Sequence, residues 1–418
     1  MQVFKFGGAS VKDAEAVRNV GNIITRYTDE PLLVVVSAMG KMTNAFEKLI
    51  ESYYKQKPDL MENYQAIKDF HQNIINDLLV DQRSETYDDI DNLFLELECI
   101  LETPAESSYD YTYDQIVCFG ELISTRIIST WLNGHGLKNR WMDCRNFICT
   151  DTNHLEAHVD WPATEDIIQK KLLPIVKKQL VITQGFIGRS ADLSTTTLGR
   201  DGSDYSAAIF AYGLGANSVT IWKDVPGVMN ADPKKYEGAE LVNHLSFKEA
   251  IELAYYGANV IHPKTIQPLR KKGLPLYVKS FYEPELKGTE INNIEQSNPQ
   301  SFYIHKDKQA LLSFSTKDFS FITEEHLSQI FTEFKQHNIR VNLMQNSAIS
   351  FSVCVNASGH LEEVLDKLKT SFEIDVKNNV ELLSVKNTTF EKNNLMLKNK
   401  TVLLEQKNQD MIQYAVMN

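Results

Sequence analysis

The sequence has little cysteine, no long apolar run and no excess of positive charge, and each shortage excludes a class of protein. Its five cysteines fit neither a zinc site nor a CxxC redox pair, and the odd number suits reduced thiols in the cytosol. No apolar run approaches the length of a membrane span. Acidic residues outnumber basic ones by 55 to 43, which argues against nucleic acid as the main partner.

The rest of the composition is that of an ordinary globular chain. A length of 418 residues is enough for two or three domains with cores of their own. The segment Met1–Gly7 predicts a strand entering a turn, not the charged head and apolar core of a signal peptide. We therefore expect a cytoplasmic protein with no membrane partner.

Alternating strands and helices over residues 1–290 predict one large α/β domain. Strands are expected at 2–6, 32–36, 140–144, 180–183, 218–222 and, as the last of this part, 275–278. The run at 32–36 is apolar throughout, which is typical of a strand covered on both faces. Helices are expected over 44–105, with breaks near Pro58 and Asp81, and over 115–132, 205–211 and 247–256.

The composition changes after Glu283, and the polar stretch 290–300 predicts a linker. Beyond it we expect, in order, a strand at 310–314, a helix from Thr323, strands at 339–344 and 349–355, a helix at 361–368, and strands at 372–376 and 380–385 around an Asn-Asn turn. This order is that of a small ferredoxin-like α+β unit. Residues 386–418 supply at most two strands and no convincing helix.

The polar segment 195–204 runs into a small-residue helix expected to begin near Tyr205. A helix N-terminus offers free N–H groups and the positive end of a dipole, and so suits an anion. Arg200 adds a fork for a carboxylate or phosphate, and Asp204 adds a carboxylate. Charge of both signs at a helix start indicates phosphate chemistry.

Two further segments follow predicted strands. Lys5 stands just before Gly7 and Gly8, where backbone N–H groups can approach a phosphate closely; the segment is not a P-loop, and a plain tight turn with an exposed lysine is the alternative. Ser37 and Thr43 offer hydroxyls at the edge where open α/β sheets bind ligands. The alternative there is a loop with a helix cap.

Glu121 lies in an otherwise apolar helical stretch, so its carboxylate needs a partner. A bound ammonium, Arg126 or a local hydroxyl would serve. His262, directly before Pro263, is interpreted as structural. No covalent triad and no metal-ligand cluster stands out, which favours catalysis by positioning and charge neutralisation.

Together these segments resemble the aspartate kinases of the amino acid kinase family, over nearly all of residues 1–290. The resemblance is carried, in this order, by Lys5-Phe6-Gly7-Gly8, Val36-Ser37-Ala38, Phe119-Gly120-Glu121, Thr183 to Gly188, Thr195 to Asp204 and Tyr256 to Pro263. The α+β unit resembles an ACT domain, an amino-acid-sensing module.

The resemblance implies an amino acid kinase-like sandwich around a mainly parallel sheet, followed by a ferredoxin-like α+β regulatory region of ACT type. The expected division is a catalytic domain at 1–290, an ACT-like domain at 301–386 and a reduced remnant of a second ACT-like unit at 387–418. Family members usually carry two full units, so feedback by an amino acid such as lysine or threonine stays open. A homodimer through the ACT-like region is expected.

The implied reaction is transfer of a phosphoryl group from ATP to the side-chain carboxylate of L-aspartate, the first step toward lysine, threonine and methionine. That carboxylate is already ionised near neutral pH, so no general base is needed. The obstacle is repulsion between two anions, which Lys5, Mg²⁺ and backbone N–H groups would neutralise. The expected cofactors are ATP and Mg²⁺, with the metal held mainly by phosphates and not by dedicated protein ligands.

The resemblance also implies roles for individual residues. Lys5 and Asp204 are the catalytic pair, with Lys5 on the transferring phosphate and Asp204 orienting Lys5 and the attacking group. Arg200 would bind the α-carboxylate of aspartate, and Glu121 its α-ammonium. The implied ATP-binding positions are Lys5, Gly7, Gly8, Ser37, Lys223, Asp224, Met229, Lys234 and Asn259; the implied substrate-binding positions are Ser37, Thr43, Glu121, Phe186, Arg200 and Ser203.

The chain departs from the family pattern at four positions. Ala9 and Lys223 stand where threonine is common, Met229 where tyrosine is common, and Asn259 where lysine is frequent. These changes bear on nucleotide affinity more than on catalysis. Two other functions remain open: a non-catalytic amino-acid sensor that keeps the fold, and another amino acid kinase, acting on acetylglutamate or carbamate.

Overall fold

The computed structural model describes residues 1–78, 86–258, 261–295, 300–318, 320–357, 359–387 and 397–417, and of residues 86 and 87 only the backbone. The chain divides into two compact units. The first comprises Met1–Val228, Leu241–Ile251 and Ile261–Gln296, and the second comprises Met229–Glu240, Glu252–Val260 and Ser297–Asn418.

The strands up to residue 292 are β1 (Gln2–Phe6), β2 (Leu32–Val36), β3 (Asn139–Met142), β4 (Cys149–Thr150), β5 (Leu180–Gln184), β6 (Ile187–Ser190), β7 (Thr195–Thr197), β8 (Ser218–Lys223), β9 (His244–Ser246), β10 (Leu276–Ser280) and β11 (Thr289–Asn292). Eight of them form one sheet in the order β3-β5-β2-β1-β8-β10-β11-β9. Its pairs are parallel except β10 with β11. The predicted α/β domain with a mainly parallel sheet is confirmed.

The helices up to residue 272 are α1 (Ala14–Thr25), α2 (Met42–Tyr54), α3 (Leu60–Leu78), α4 (Thr86–Glu102), α5 (Tyr109–Val117), α6 (Phe119–Gly134), α7 (Trp161–Ile167), α8 (Leu173–Val176), α9 (Gly202–Leu214), α10 (Phe247–Tyr256) and α11 (Pro263–Lys272). The predicted break near Pro58 separates α2 from α3. The predicted break near Asp81 lies outside the described residues.

The helix expected over 115–132 is divided at Cys118 into α5 and α6, and the strand expected over 140–144 ends at Met142. Two other boundaries also differ from the sequence expectation. The helix expected near Tyr205 begins at Gly202, so Ser203 and Asp204 lie inside its first turn. The stretch expected to be a linker from residue 290 instead begins with β11, which is antiparallel to β10. Ile291 in β11 is fully buried, and burial of this side chain together with backbone pairing outweighs the polar composition around it.

The second unit contains β12 (Phe302–Thr316), α12 (Glu324–Gln336), β13 (Val341–Asn346), β14 (Ser350–Asn356), α13 (Leu361–Leu368), β15 (Phe372–Lys386), β16 (Thr401–Lys407) and β17 (Met411–Met417). The six strands of this unit form one sheet in the order β13-β14-β12-β15-β17-β16. The order strand, helix, strand, strand, helix, strand from β12 to β15 confirms the ferredoxin-like α+β region. Beyond residue 386 the described chain has two strands, as predicted.

The expected Asn-Asn turn in this unit is a bulge within a long strand. The strand expected at 310–314 is part of the longer strand β12, and the segments on either side of the Asn-Asn pair belong to the single strand β15. These strands pair from Phe302–Lys386 to Thr316–Phe372, with register shifts around Gln309. Lys308 and Asn379 take positive φ angles of 55° and 58° there. A bulge absorbs the extra residues without ending the ladder.

Among the described residues, no helix combines the length and apolar character that crossing a bilayer requires.

Candidate active site

The C-terminal edge of the large sheet is built from three neighbouring parallel strands. Lys5 near the end of β1 is in register with Val35 of β2 and Ile221 of β8. Because parallel strands end at the same edge, the residues that follow them converge there. Ser37 therefore lies directly after β2, and Lys223 is the last residue of β8.

Lys5 and Asp204 form an ion pair at this edge. Lys5 Nζ lies 2.6 Å from Asp204 Oδ1, and both side chains are largely buried. Burial alone would raise the pKa of Asp204, but the positive charges of Lys5 and Lys223 together hold it below its usual range. Asp204 is thus an ionised carboxylate that orients the Lys5 ammonium, and Lys223 lies near enough to act on the same group.

The turn after β1 lies tightly against the loop after β2. A short 3₁₀ turn begins at Gly8, and the Gly8 carbonyl accepts a hydrogen bond from Gly40 N at 3.0 Å. A β-carbon on Gly8 would lie 2.5 Å from the Gly40 carbonyl oxygen, and one on Gly7 would lie 3.3 Å from Lys5 Nζ. Only glycine permits the approach at Gly8, where the neighbour is backbone, and a side chain at Gly7 would crowd the Lys5 ammonium.

Glu121 is a buried carboxylate with one oxygen unused by the protein. It lies in the first turn of α6 and is 2% exposed. Its Oε1 accepts a hydrogen bond from Ala38 N at 3.2 Å, whereas Oε2 is buried without a hydrogen-bond partner among the described residues. Burial raises the pKa of Glu121 to about 8, although the Ala38 N–H and the Lys5 charge oppose this rise. A cation arriving at Oε2 would satisfy this oxygen.

Arg126, considered as a partner of Glu121 from the sequence, is engaged elsewhere. It pairs with Asp89 at 3.2 Å and lies over the ring of Trp141 at 3.9 Å. The residue that sequence reasoning missed is Ala38, whose backbone N–H fixes the carboxylate. A backbone donor carries no side-chain signal, so only the tertiary structure identifies it.

The start of α9 packs closely against the loop after β5 because Gly185 in that loop has no side chain. A β-carbon on Gly185 would lie 2.6 Å from the Ser203 Cβ. The next residue, Phe186, has φ +73°, and its N–H donates to Ser206 Oγ at 2.9 Å. The loop after β5 and the first turn of α9 are therefore locked together, with Phe186 and Ser203 both at the contact.

The remaining substrate positions lie on loops and helix starts around this edge. Arg200 precedes α9, and its side chain is 86% exposed, with only a loose contact to Asp201 at 3.8 Å. Asp201 itself takes φ +54° at the start of the helix. Thr43 lies in the first turn of α2 and is half-buried. His262, interpreted as structural, caps the N-terminus of α11 by accepting from Lys264 N at 3.2 Å.

The predicted nucleotide positions divide between the two units. Asp224 follows Lys223 in the first unit and is exposed. Met229 and Lys234 belong to the second unit, where Lys234 is exposed and its N–H donates to Asp232 Oδ1 at 2.9 Å. Asn259 lies outside the described residues.

The described residues of the first unit thus bring three groups to one sheet edge: the buried Lys5 ammonium, the ionised Asp204 carboxylate, and the Glu121 carboxyl group, which has one oxygen without a hydrogen bond. Lys5 acts electrostatically on both Glu121 and Asp204, so the three groups are neighbours. Such a set can neutralise a phosphate on one side and hold an ammonium on the other.

The comparisons with known proteins agree with this geometry. The family model described as the amino acid kinase family matches residues 1–280. The lysine-sensitive aspartokinase 3 of Escherichia coli (strain K12) is 32% identical over 359 residues, covering 85% of this chain and 78% of the relative. The chloroplastic aspartokinase 3 of Arabidopsis thaliana is 33% identical over 374 residues, covering 85% of this chain and 64% of the relative.

Two solved structures resemble the whole chain. The crystal structure of E. coli aspartokinase III in complex with aspartate and ADP (R-state) is 28% identical with a TM-score of 0.84, and the match covers 100% of this chain and 96% of that one. The same enzyme in complex with lysine and aspartate (T-state) is 28% identical with a TM-score of 0.85, and the match covers 99% and 95%.

Proposed function

The chain belongs to the amino acid kinase family, and from this membership and the site geometry we propose that it is an aspartate kinase. It transfers the γ-phosphoryl group of ATP to the side-chain carboxylate of L-aspartate. The products are ADP and 4-phospho-L-aspartate, which enters lysine, threonine and methionine biosynthesis. The arrangement that carries the proposal is the Lys5–Asp204 ion pair next to the buried, unpaired Oε2 of Glu121.

Glu121 and Arg200 bind the two ends of the amino acid group. The α-ammonium of aspartate supplies the cation that Glu121 Oε2 lacks, which favours the ionised form of a carboxyl group whose pKa is otherwise raised to about 8. Arg200 is exposed and weakly paired, so its guanidinium is available for the α-carboxylate. Ser37, Thr43, Phe186 and Ser203 complete the aspartate site.

The transfer needs charge neutralisation more than proton transfer. An oxygen of the aspartate side chain forms a bond to the γ-phosphorus, the bond from that phosphorus to the bridging oxygen breaks, and ADP leaves with the electron pair. Lys5 neutralises the transferring group, Asp204 keeps the Lys5 ammonium in position, and Gly7 and Gly8 lend backbone N–H groups. Preorganised donors of this kind are the main means of catalysis in phosphoryl transfer.

The residues at the site fit a magnesium ion that is held mainly by the ATP phosphates. Mg²⁺ keeps most of its water and phosphate ligands and needs only one or two carboxylates from a protein. Asp204 is the carboxylate beside Lys5, and its Oδ1 has no hydrogen bond besides the ion pair among the described residues. When bound, the ion shields the charge of the phosphates.

For the nucleotide we propose contacts by Lys223, Asp224, Met229, Lys234 and Asn259, in addition to Lys5, Gly7, Gly8 and Ser37. The influence of Lys223 on the pKa of Asp204 supports a second positive charge at the phosphates. We also propose a catalytic domain at 1–290, an ACT-like domain at 301–386 and a reduced second ACT-like unit at 387–418. A homodimer through the ACT-like region and an amino-acid effector, lysine or threonine, complete the proposal; the E. coli relative is named as lysine-sensitive.

The test is ADP release with ATP and Mg²⁺ in the presence of aspartate, acetylglutamate or carbamate, each alone. We expect release with aspartate only, together with an acyl phosphate that hydroxylamine traps as the hydroxamate. Titration with lysine, threonine and methionine in the same assay tests regulation. Aspartate binding in calorimetry without ADP release would replace the proposal with the sensor function.

A further inference from the structure

Asp114 is a fully buried carboxylate of α5 that the mechanism above does not use. Its Oδ2 accepts a hydrogen bond from His154 Nδ1 at 2.8 Å, and its Oδ1 accepts one from Thr197 Oγ1 at 2.7 Å. The backbone N–H of Leu155 lies 3.2 and 3.3 Å from the two oxygens. Burying a carboxylate is unfavourable unless it is fully hydrogen-bonded, and here three residues on two segments of the chain provide the donors.

One of these segments is β7, which leads into the Arg200 loop. Thr197 is the last residue of β7. The neighbour of Asp114, Gln115, holds the other end of the strand: its Nε2 donates to the Thr195 carbonyl at 2.9 Å, and its Oε1 accepts from Thr195 N at 3.1 Å. Helix α5 therefore fixes both ends of the strand that precedes Arg200.

The second segment, residues 154–157, contacts the same loop. Leu155 takes φ +67°, a strained conformation for leucine that needs compensating contacts, and the bond to Asp114 supplies one. Ala157 N donates to the Thr197 carbonyl at 2.9 Å. Gly199, with φ +75°, lies so close to Glu156 that a β-carbon on it would be 2.9 Å from the Glu156 Cγ.

Helix α5 is followed directly by α6, the helix that carries Glu121, the proposed partner of the α-ammonium. It ends at Val117, and α6 begins at Phe119. Cys118 between them keeps helical angles of φ −57° and ψ −25°. Glu121 therefore lies close behind Asp114 on almost continuous helix, and this one element touches both halves of the aspartate site.

We propose that Asp114, oriented by His154, is a positioning residue that holds the segment Thr197–Arg200 so that Arg200 faces Glu121. This rests on the proposed function, since it assigns Asp114 to the aspartate site. Asp114 touches neither substrate. It acts through its hydrogen bonds to Thr197 and Leu155. Loss of the Asp114 carboxylate loosens the Arg200 loop, which binds the α-carboxylate of aspartate, while the Gly7–Gly8 turn stays in place.

The test compares Asp114→Asn with Asp110→Asn, an exposed aspartate on the same helix. The asparagine keeps the size of the side chain but puts an N–H₂ donor in place of one carboxylate oxygen, so either His154 or Thr197 loses its acceptor. We expect the KM for aspartate to rise about tenfold or more while kcat and the KM for ATP stay within about threefold. Asp110→Asn is expected to match the parent. Thr197→Val should raise the KM for aspartate in the same direction, and the double variant should show less than the product of the two effects.

Hydrogen exchange provides a readout that does not depend on turnover. The N–H groups of Leu198 and Gly202 are bonded to Phe186 and Gly199 carbonyls, and we expect both to exchange faster in Asp114→Asn than in the control. Unchanged exchange overturns the positioning role. A fall in kcat together with similar rises in both KM values and a lowered Tm would indicate general destabilisation, and this result also overturns the positioning role. A parent protein without aspartate-dependent ADP release overturns the proposed function, and exchange still decides the role of Asp114.

Discussion

Lys5 lies near the N-terminus and Asp204 near the middle of the chain, yet Lys5 Nζ and Asp204 Oδ1 lie 2.6 Å apart. The central strand carries the cation, and the first turn of α9 carries the anion. This single contact joins β1 to the first turn of α9. The positive and negative groups required for a reaction between two anions therefore share one place in the first unit.

Replacing Lys5 with alanine removes the cation assigned to the transferring phosphate. We expect kcat to fall about 10²–10³-fold, the loss typical of one charge-stabilising donor, with a smaller effect on the KM for aspartate. Steady-state ADP release at saturating ATP measures it. Lys178→Ala, at an exposed lysine before β5, is the matched control. A kcat within twofold of the parent would remove Lys5 from the reaction.

Replacing Arg200 with alanine tests the α-carboxylate contact. Hydrogen bonds to charged groups contribute about 1.5–3 kcal/mol, so the KM for aspartate should rise roughly ten- to a hundredfold while kcat changes little. Because the side chain is 86% exposed, the Tm should stay near that of the parent. Arg140→Ala, at an exposed position of β3, is the control. The assignment fails if aspartate affinity is unaffected.

Glu121→Gln should improve stability at alkaline pH and damage substrate binding. Because the pKa of Glu121 is raised to about 8 in the folded protein, the folded state holds a proton that the unfolded state loses near its ordinary pKa, and stability falls as the pH rises through about 8. Glutamine removes this loss. Without ligands, the Tm of the variant should exceed that of the parent by a few degrees at pH 8.5 and match it near pH 5.

In the same variant, the KM for aspartate should rise about tenfold or more at alkaline pH, where Glu121 of the parent is ionised and the ammonium loses its charged partner. The difference from the parent should shrink toward pH 5, where Glu121 is protonated. Thermal scans and kinetics from pH 5 to 9 measure both effects. Glu96→Gln, on the exposed side of α4, is the control. A parallel pH dependence of Tm in the parent and the Glu121 variant would contradict the raised pKa.

Gly8→Ala should weaken ATP binding. The added β-carbon would lie 2.5 Å from the Gly40 carbonyl oxygen and 2.9 Å from that of Ala38. Both are backbone atoms, so the turn itself must move, at a stability loss of about 1–3 kcal/mol. We expect a higher KM for ATP and a lower Tm. Gly359→Ala, where nothing lies within 4 Å, should change neither, and an unchanged KM for ATP in Gly8→Ala would show that the turn does not hold the nucleotide.

The sequence predicts the elements of this fold better than their ends. The continuous apolar run at 32–36 indicates a buried strand because each side chain must be covered, and β2 has these bounds. The sequence pattern predicts the start of α9 three residues late. Asp201 enters the helix with a left-handed φ and no side-chain cap, so the usual capping signal is missing there.

The sequence pattern divides the long strand β15 in two for a related reason. Local turn signals such as the Asn-Asn pair are read from neighbouring residues alone. Whether the chain turns or bulges depends on the partner strand, and Gln309 pairs with Val380 across the bulge. Pairing over the full length of two strands outweighs a local preference.

The sequence by itself determined the alternation of strands and helices, the glycine turns after the strands and the family, because these follow from local patterns and their order. Only the tertiary structure decided that Glu121 takes its hydrogen bond from Ala38 and keeps one oxygen unpaired, that Arg126 turns away to Asp89, and that Asp114 holds Thr197. These contacts join residues far apart in the chain. Their partners are chosen by burial and hydrogen-bond satisfaction across the whole fold, which local sequence does not encode.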